Sequence, residues 1–217
     1  MREEKIHTQK KTARSRPPQF ELIAGAVCLD FVNTLDDRFS DHPKELLASY
    51  RDLARFAEDG GLLSHQQVDH LCAQGQSSPA QKALKSAVQM REAMSEVFYA
   101  LARERPVPEA ALAILNRYVQ EAAQHARLIP ADGHFEWQFD PAQDNLDSPL
   151  WPIARSAAEL LASDHLQYVR ACASPTCEWL FLDESKNHRR RWCDMTKCGN
   201  RAKVQSFYNR KRNSSPV

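Results

Sequence analysis

Cys172 and Cys177, followed by Cys193 and Cys198, form two pairs with four residues inside each pair and fifteen between the pairs. Thiolates are soft ligands, and two short-spaced pairs are what a tetrahedral four-sulfur site needs: each pair clamps one edge and the chain between them supplies the return path. Disulfides are the other use of paired cysteines. The N-terminal MREEKIHTQKKTARSR lacks the apolar centre of a secretory signal, so the chain is expected in the cytoplasm, where thiols stay reduced. The expected ligand is therefore one Zn²⁺, structural because four thiolates leave no open position, and no catalytic role is expected for the nearby His188.

The same stretch is strongly basic. Residues 183–212 hold ten Lys or Arg against three acids, and residues 1–16 hold six against two. The rest of the chain has 13 cations against 23 anions, so a net charge of +1 conceals an acidic body with two basic ends. A zinc ion with four thiolates is doubly negative, which employs one or two of Arg189, Arg190, Arg191 and Arg201 beside the sulfurs. The surplus suits a polyanion, because phosphate contacts release counterions. The candidate DNA contacts are Lys186, Asn187, Arg189, Arg190, Arg191, Arg201, Lys203, Arg210, Lys211 and Arg212, with RNA as the alternative partner. Trp179 and Trp192 are expected to pack in a small core. Asn200, after Gly199, could read a base edge or turn the backbone.

The elements that must position these groups follow from periodicity. EWLFLDE, from Glu178 to Glu184, has extended composition and predicts a hairpin arm behind the first pair. Cys198 to Arg212 reads as a helix whose narrow stripe, Val204, Phe207 and Tyr208, is expected to dock on that hairpin. Upstream, Ala87, Met90, Met94, Val97, Phe98 and Leu101 recur at helical spacing and mark the inner face of a long helix. Lys44 to Gly60 reads as helical, Ser64 as the cap of a shorter helix, and Pro108 to Gln124 as a helix with Leu112, Leu115, Val119 and Ala122 inward. Asp132-Gly133 predicts a tight hairpin, and Ser148-Pro149 the start of another helix. FELIAGAVCLDFVNTL, from Phe20 to Leu35, reads as short strands or a strand entering a helix. Inside it, Asp30, Asn33 and Thr34 could line a ligand pocket or cap the following helix. Cys28 and Cys72 read as buried thiols.

The run RRWCDMTKCGNRAKVQSFYNR, centred on Cys198-Gly199-Asn200-Arg201, resembles the CGNR zinc finger at the C-terminus of a family of bacterial stress-induced transcription regulators. CLDFVNTLDDR, from Cys28 to Arg38, and SAAELLAS, from Ser156 to Ser163, resemble the ABATE domain that precedes this finger. The resemblance implies a DNA-binding finger behind a mostly helical domain that senses a ligand.

The fold expected is α+β. A basic tail (1–17) precedes a mainly helical body with a small hairpin (18–165), a treble-clef-like zinc finger (166–212) and a short tail (213–217). The body is expected to carry a core of its own. No apolar run is long enough for a membrane span and no catalytic constellation is evident, so the chain is not expected to be an enzyme; the alternative is an active site in the body, tethered to nucleic acid by the finger. A small-molecule effector and a homodimeric partner are both compatible with this organisation.

Overall fold

A computed structural model describes residues 19–139 and 145–213 and, in the last helix, the side chains up to Tyr208 apart from Ser206. The expected basic tail at 1–17 and the last four residues lie outside the described residues. Among the described residues the chain is mainly helical, with three two-stranded antiparallel sheets. The α+β architecture follows from this mixture.

Helix α1 (Val27–Val32) is short and buried except at its first residue. It lies among α4, α6 and the last strand of the chain. This placement resolves the ambiguous FELIAGAVCLDFVNTL: six residues are helical because their apolar side chains are enclosed on all sides, a situation in which period alone cannot tell helix from strand. Strand β1 (Leu35–Asp36) pairs with β2 (Lys44–Glu45), so Lys44 and Glu45 do not belong to the following helix. That helix, α2 (Tyr50–Asp59), begins at Ser49, which forms a reciprocal capping box with Asp52.

A second capping box, Ser64 with Gln67, starts α3 (His65–Ala73). Helix α4 (Ser78–Ala102) starts at the Ser77 cap and presents Ala87, Met90, Met94, Val97 and Phe98 to the core. It packs on α1, on α2, on α5 (Glu109–His125) and on the first strand of the C-terminal hairpin. Leu115 and Ala122 of α5 face inward, whereas Leu112 is 39% exposed. α5 is a surface helix whose buried stripe is narrower than its apolar content suggests.

Strands β3 (Ala126–Ala131) and β4 (His134–Phe139) form the expected hairpin, turning at Gly133 with φ of 79°. Such a left-handed φ favours glycine because it has no Cβ to clash. Helix α6 (Leu150–Leu161) follows a Pro149 already in helical conformation, so the helix begins slightly later than Ser148 suggests. A short 3₁₀ turn, Asp164–Tyr168, leads into β5 (Val169–Ala171), which pairs with β6 (Leu180–Leu182). A π-helical turn, Met195–Gly199, then opens α7 (Asn200–Asn213).

Among the described residues the core forms one apolar cluster. Leu180 and Phe181 of β6 are fully buried and share one apolar cluster with Leu29, Phe31, Met94 and Phe98 of the helical body. The C-terminal hairpin thus adds side chains to the same apolar cluster as the helical body. The expected docking of α7 is corrected, since Val204, Phe207 and Tyr208 are 55%, 59% and 60% exposed. α7 leaves the π turn without a hairpin surface to lie on. Among the described residues, no helix is long and apolar enough to cross a membrane.

Candidate metal centre and nucleic-acid interface

The first cysteine pair occupies the connection between β5 and β6. Cys172 extends the hairpin ladder, its backbone N–H donating to Trp179 O at 2.8 Å. After Cys177 the chain reverses through Glu178, a non-glycine residue at φ 53°. Backbone in this region is unfavourable for most side chains and persists where neighbours hold it. Here the neighbours belong to α4: Tyr99 Oη donates to Glu178 O at 2.9 Å, and Arg103 forms an ion pair with the Glu178 carboxylate.

The second pair is built by the π turn. Asp194 caps it, accepting from the backbone N–H groups of Thr196 and Lys197, and Gly199 N–H returns to Asp194 O. These bonds hold the Asp194 carboxyl below its usual range, the Thr196 side chain contributing most. A Cβ at Gly199 would lie 2.9 Å from Met195 Sδ and 3.3 Å from the Trp192 ring, so the turn closes around a bare backbone.

The result is a cluster in which all four Sγ atoms lie within 4.8 Å of one another. The Cys177 and Cys193 sulfurs are 3.5 Å apart, and those of Cys193 and Cys198 are 3.7 Å apart. A tetrahedral zinc with bonds of about 2.3 Å has sulfur–sulfur edges of about 3.8 Å, whereas a disulfide requires about 2.05 Å. The donor set therefore fits a closed four-thiolate site. Hydrogen bonding from Cys177 and Cys193 pulls the Cys172 thiol down, and the same contacts push Cys177 and Cys193 up. Crowded thiols share protons in this way because their negative charges repel; a divalent cation at the centre relieves the conflict.

The basic residues divide by geometry. Arg190 faces inward: its Nε donates to Trp192 O at 2.7 Å, its Nη2 donates to Cys193 O, and its guanidinium lies 4.8 Å from the Phe181 ring centroid. It belongs to the framework of the second pair. Arg201 is exposed, but its Nη1 donates to Thr176 Oγ1 at 2.7 Å, tying α7 to the first pair. Asn200 Nδ2 donates to Thr196 O at 2.9 Å, closing the π turn. Lys186, Asn187, Arg189, Arg191 and Lys203 have exposed side chains. The side chains of Arg210, Lys211 and Arg212 lie outside the described residues.

The loop that presents Lys186 to Arg191 is organised by Asp183, which is fully buried. Its carboxylate accepts from Ser185 Oγ and from the backbone N–H groups of Ser185 and Arg190. These hydrogen bonds outweigh burial and hold its pKa below the carboxylate range. His188, at φ 46°, stacks on Tyr168 with ring centroids 3.6 Å apart and Nδ1 at 2.7 Å from Asp183 O. The basic loop is thus a fixed structure anchored in the core. Trp179 and Trp192 are half-buried, and Trp179 Nε1 donates to Asp36 at 2.8 Å.

The polar cluster in and just after α1 is buried and hydrogen-bonded within the fold. Asp30, Asn33 and Thr34 are 7%, 4% and 1% exposed. Asp30 Oδ1 accepts the backbone N–H groups of Ile23 and Ala24, both at 2.9 Å, and fixes the segment before α1 rather than capping the helix after it. Thr34 donates to Phe31 O and receives Arg91, whose guanidinium also makes a bidentate pair with Glu45 at 2.6 and 2.7 Å. Burial of Glu45 is outweighed by Arg91, which holds its carboxyl low. Asn33 reaches into the C-terminal hairpin, its amide bonding both backbone groups of Leu180. Composition could not separate these roles from a pocket, because the partners of Asn33 and Thr34 across the fold, Leu180 and Arg91, are distant in sequence.

Two family models match the chain. The ABATE model, described as "Putative stress-induced transcription regulator", matches residues 25–164, well over half of the chain, and the CGNR zinc finger model matches residues 168–211. No curated protein matches it.

Proposed function

From the premise that this chain belongs to the ABATE family and ends in a CGNR zinc finger, we propose that it is a zinc-dependent regulator that binds DNA through its C-terminal finger. Cys172, Cys177, Cys193 and Cys198 would hold the zinc, whose chemistry there is structural: it cross-links the β5–β6 turn to the start of α7. The observation that carries the proposal is the coincidence of this sulfur cluster with a rigid, exposed basic surface. Lys186, Arg189, Arg191 and Lys203 stand outside the framework that Arg190 and Asp183 build, and cations on a fixed scaffold meet phosphates with little ordering cost.

The division of labour follows. Residues 18–165 form an acidic body that carries and orients the finger, residues 166–212 engage nucleic acid, and no catalysis is assigned to either. Genome-wide mapping of sites bound by the tagged chain tests this reading. Discrete sites that vanish with Cys193→Ser support it. Recovery of structured RNA in place of DNA would move the finger to an RNA partner, and recovery of neither would refute the proposal.

A further inference from the structure

A cleft of about 590 Å³ lies on the body, between the start of α3, the β4 strand and the beginning of α6. Leu62, Leu63, Gln66 and His70 form one wall, Trp137 and Phe139 the other. Its volume is within the range of small-molecule sites, roughly 300–1,000 Å³. Among the described residues lining it there is no Asp, Glu, Lys or Arg, although charged residues make up 26% of the chain. Among these lining side chains a charged ligand finds no counter-ion, and Arg155 beside Trp137 is already paired with Glu159, so such a ligand would lose hydration with little compensation. The lining suits an uncharged molecule with one flat apolar part and a few polar atoms.

Trp137 adds an independent reason. Cross-strand pairing sets Leu128 opposite Trp137 and Pro130 opposite Phe135, so these four side chains share one face of the β3–β4 hairpin. Leu128, Phe135 and Trp137 are 54%, 68% and 52% exposed. Within this open face the Trp137 indole is held in place: the Arg155 guanidinium lies 3.9 Å from its ring centroid, and Arg155 is itself paired with Glu159 one turn along α6. An indole pinned on one face and half open to solvent is a ready stacking platform.

We infer that the cleft between α3 and Trp137 binds an uncharged, aromatic small molecule that stacks on the indole. The neutral lining disfavours the chain's own basic N-terminal segment as occupant. The role of such a molecule as effector rests on the regulator reading, whereas its binding does not, and binding is measured without DNA.

The test uses the full zinc-loaded chain and two dyes that differ only by one sulfonate group: neutral N-phenyl-1-naphthylamine and the anionic 8-anilinonaphthalene-1-sulfonate. The neutral dye should bind saturably at a single site, with the sulfonate weaker by about tenfold or more. Trp137→Ala removes the platform, and Gln66→Trp fills the cleft from an exposed position on α3. Each should weaken the neutral dye by about tenfold or more while leaving circular dichroism unchanged. Phe207→Ser, on an exposed apolar stripe away from the cleft, should leave dye binding as it is. Equal affinity for the sulfonate, or full binding to both cleft variants, would overturn the inference. So would a Trp137→Ala chain that sediments at lower mass than the parent, since the face would then be a contact between copies.

Discussion

The side-chain amide of Asn33, the C-cap of α1, replaces a strand partner for Leu180 in β6: Nδ2 donates to Leu180 O and Oδ1 accepts Leu180 N–H, both at 2.9 Å. Leu180 is fully buried, so these backbone groups have no access to water. Around this clamp, Leu182 N–H donates to Ala24 O at 2.7 Å, and a Cβ at Gly25 would meet the Leu182 side chain at 3.2 Å. The finger is therefore seated on the body through its backbone, and α1 is the seat.

Asn33→Ala should be strongly destabilising. It leaves two buried backbone groups unpaired, at a cost of about 1–3 kcal/mol each. Thermal unfolding of the zinc-loaded chain should shift downward by roughly 5 to 15 °C. Asn33→Asp should also destabilise, because a carboxylate cannot donate to Leu180 O. An unchanged Tm in the alanine variant would show that the clamp carries no weight.

Metal removal should unfold the finger and loosen its seat. Structural zinc in such sites is worth on the order of 10–16 kcal/mol, more than the few side chains around the sulfurs can replace. Serine at any of Cys172, Cys177, Cys193 or Cys198 should reduce bound zinc to well below one equivalent. Amide exchange should then accelerate in β6 as well as in α7, because Leu180 and Phe181 belong to the common core. Exchange confined to α7 would contradict that coupling.

How much of this was legible beforehand depended on sequence distance. The sulfur cluster uses ligands within 27 positions, so spacing alone exposed it, and the capping boxes at Ser49 and Ser64 are equally local. Only the second of these is legible, because Lys44 and Glu45 extend the helical composition backward into what is β2. Asn33 meets its partner 147 positions away, and no local rule marks an asparagine as a substitute strand. Arg190 shows the same limit at short range. Three consecutive arginines look alike in sequence, yet the turn held by Asp183 directs the middle one inward.

That difference predicts a division among mutants. Neutralising Lys186, Arg189 and Arg191 together should make the salt dependence of DNA binding shallower by up to about three in the log–log slope, since each phosphate contact contributes about 0.9. Stability and zinc content should be unaffected. Arg190→Gln should do the reverse, lowering Tm and weakening zinc retention because Trp192 O and Cys193 O lose their donor. Identical behaviour of the two variants, followed by anisotropy titration and metal analysis, would refute the assignment.

Asp30 should leave a signature in the pH dependence of stability. Burial raises its pKa from 3.8 to about 6, against the two backbone hydrogen bonds that lower it. The folded state consequently holds a proton that the unfolded state releases, and this contribution is present in full below about pH 4 and lost as the pH rises through 6. Asn at this position keeps the oxygen that accepts Ile23 and Ala24 and cannot ionise. Relative to the parent, Asp30→Asn should gain stability between pH 4 and pH 7, by up to about 3 kcal/mol. Parallel denaturation curves across that range would exclude a raised Asp30.

The central claim joins metal and DNA in one finger, and a single titration addresses both. Fluorescent duplex DNA is titrated with zinc-loaded chain at several salt concentrations, then with chain stripped by chelator, then with chain to which zinc has been restored. The account predicts affinity that falls linearly in log salt, disappears on stripping and returns with zinc. Binding of equal strength by the stripped chain, or none by the loaded chain at the lowest salt, would contradict it.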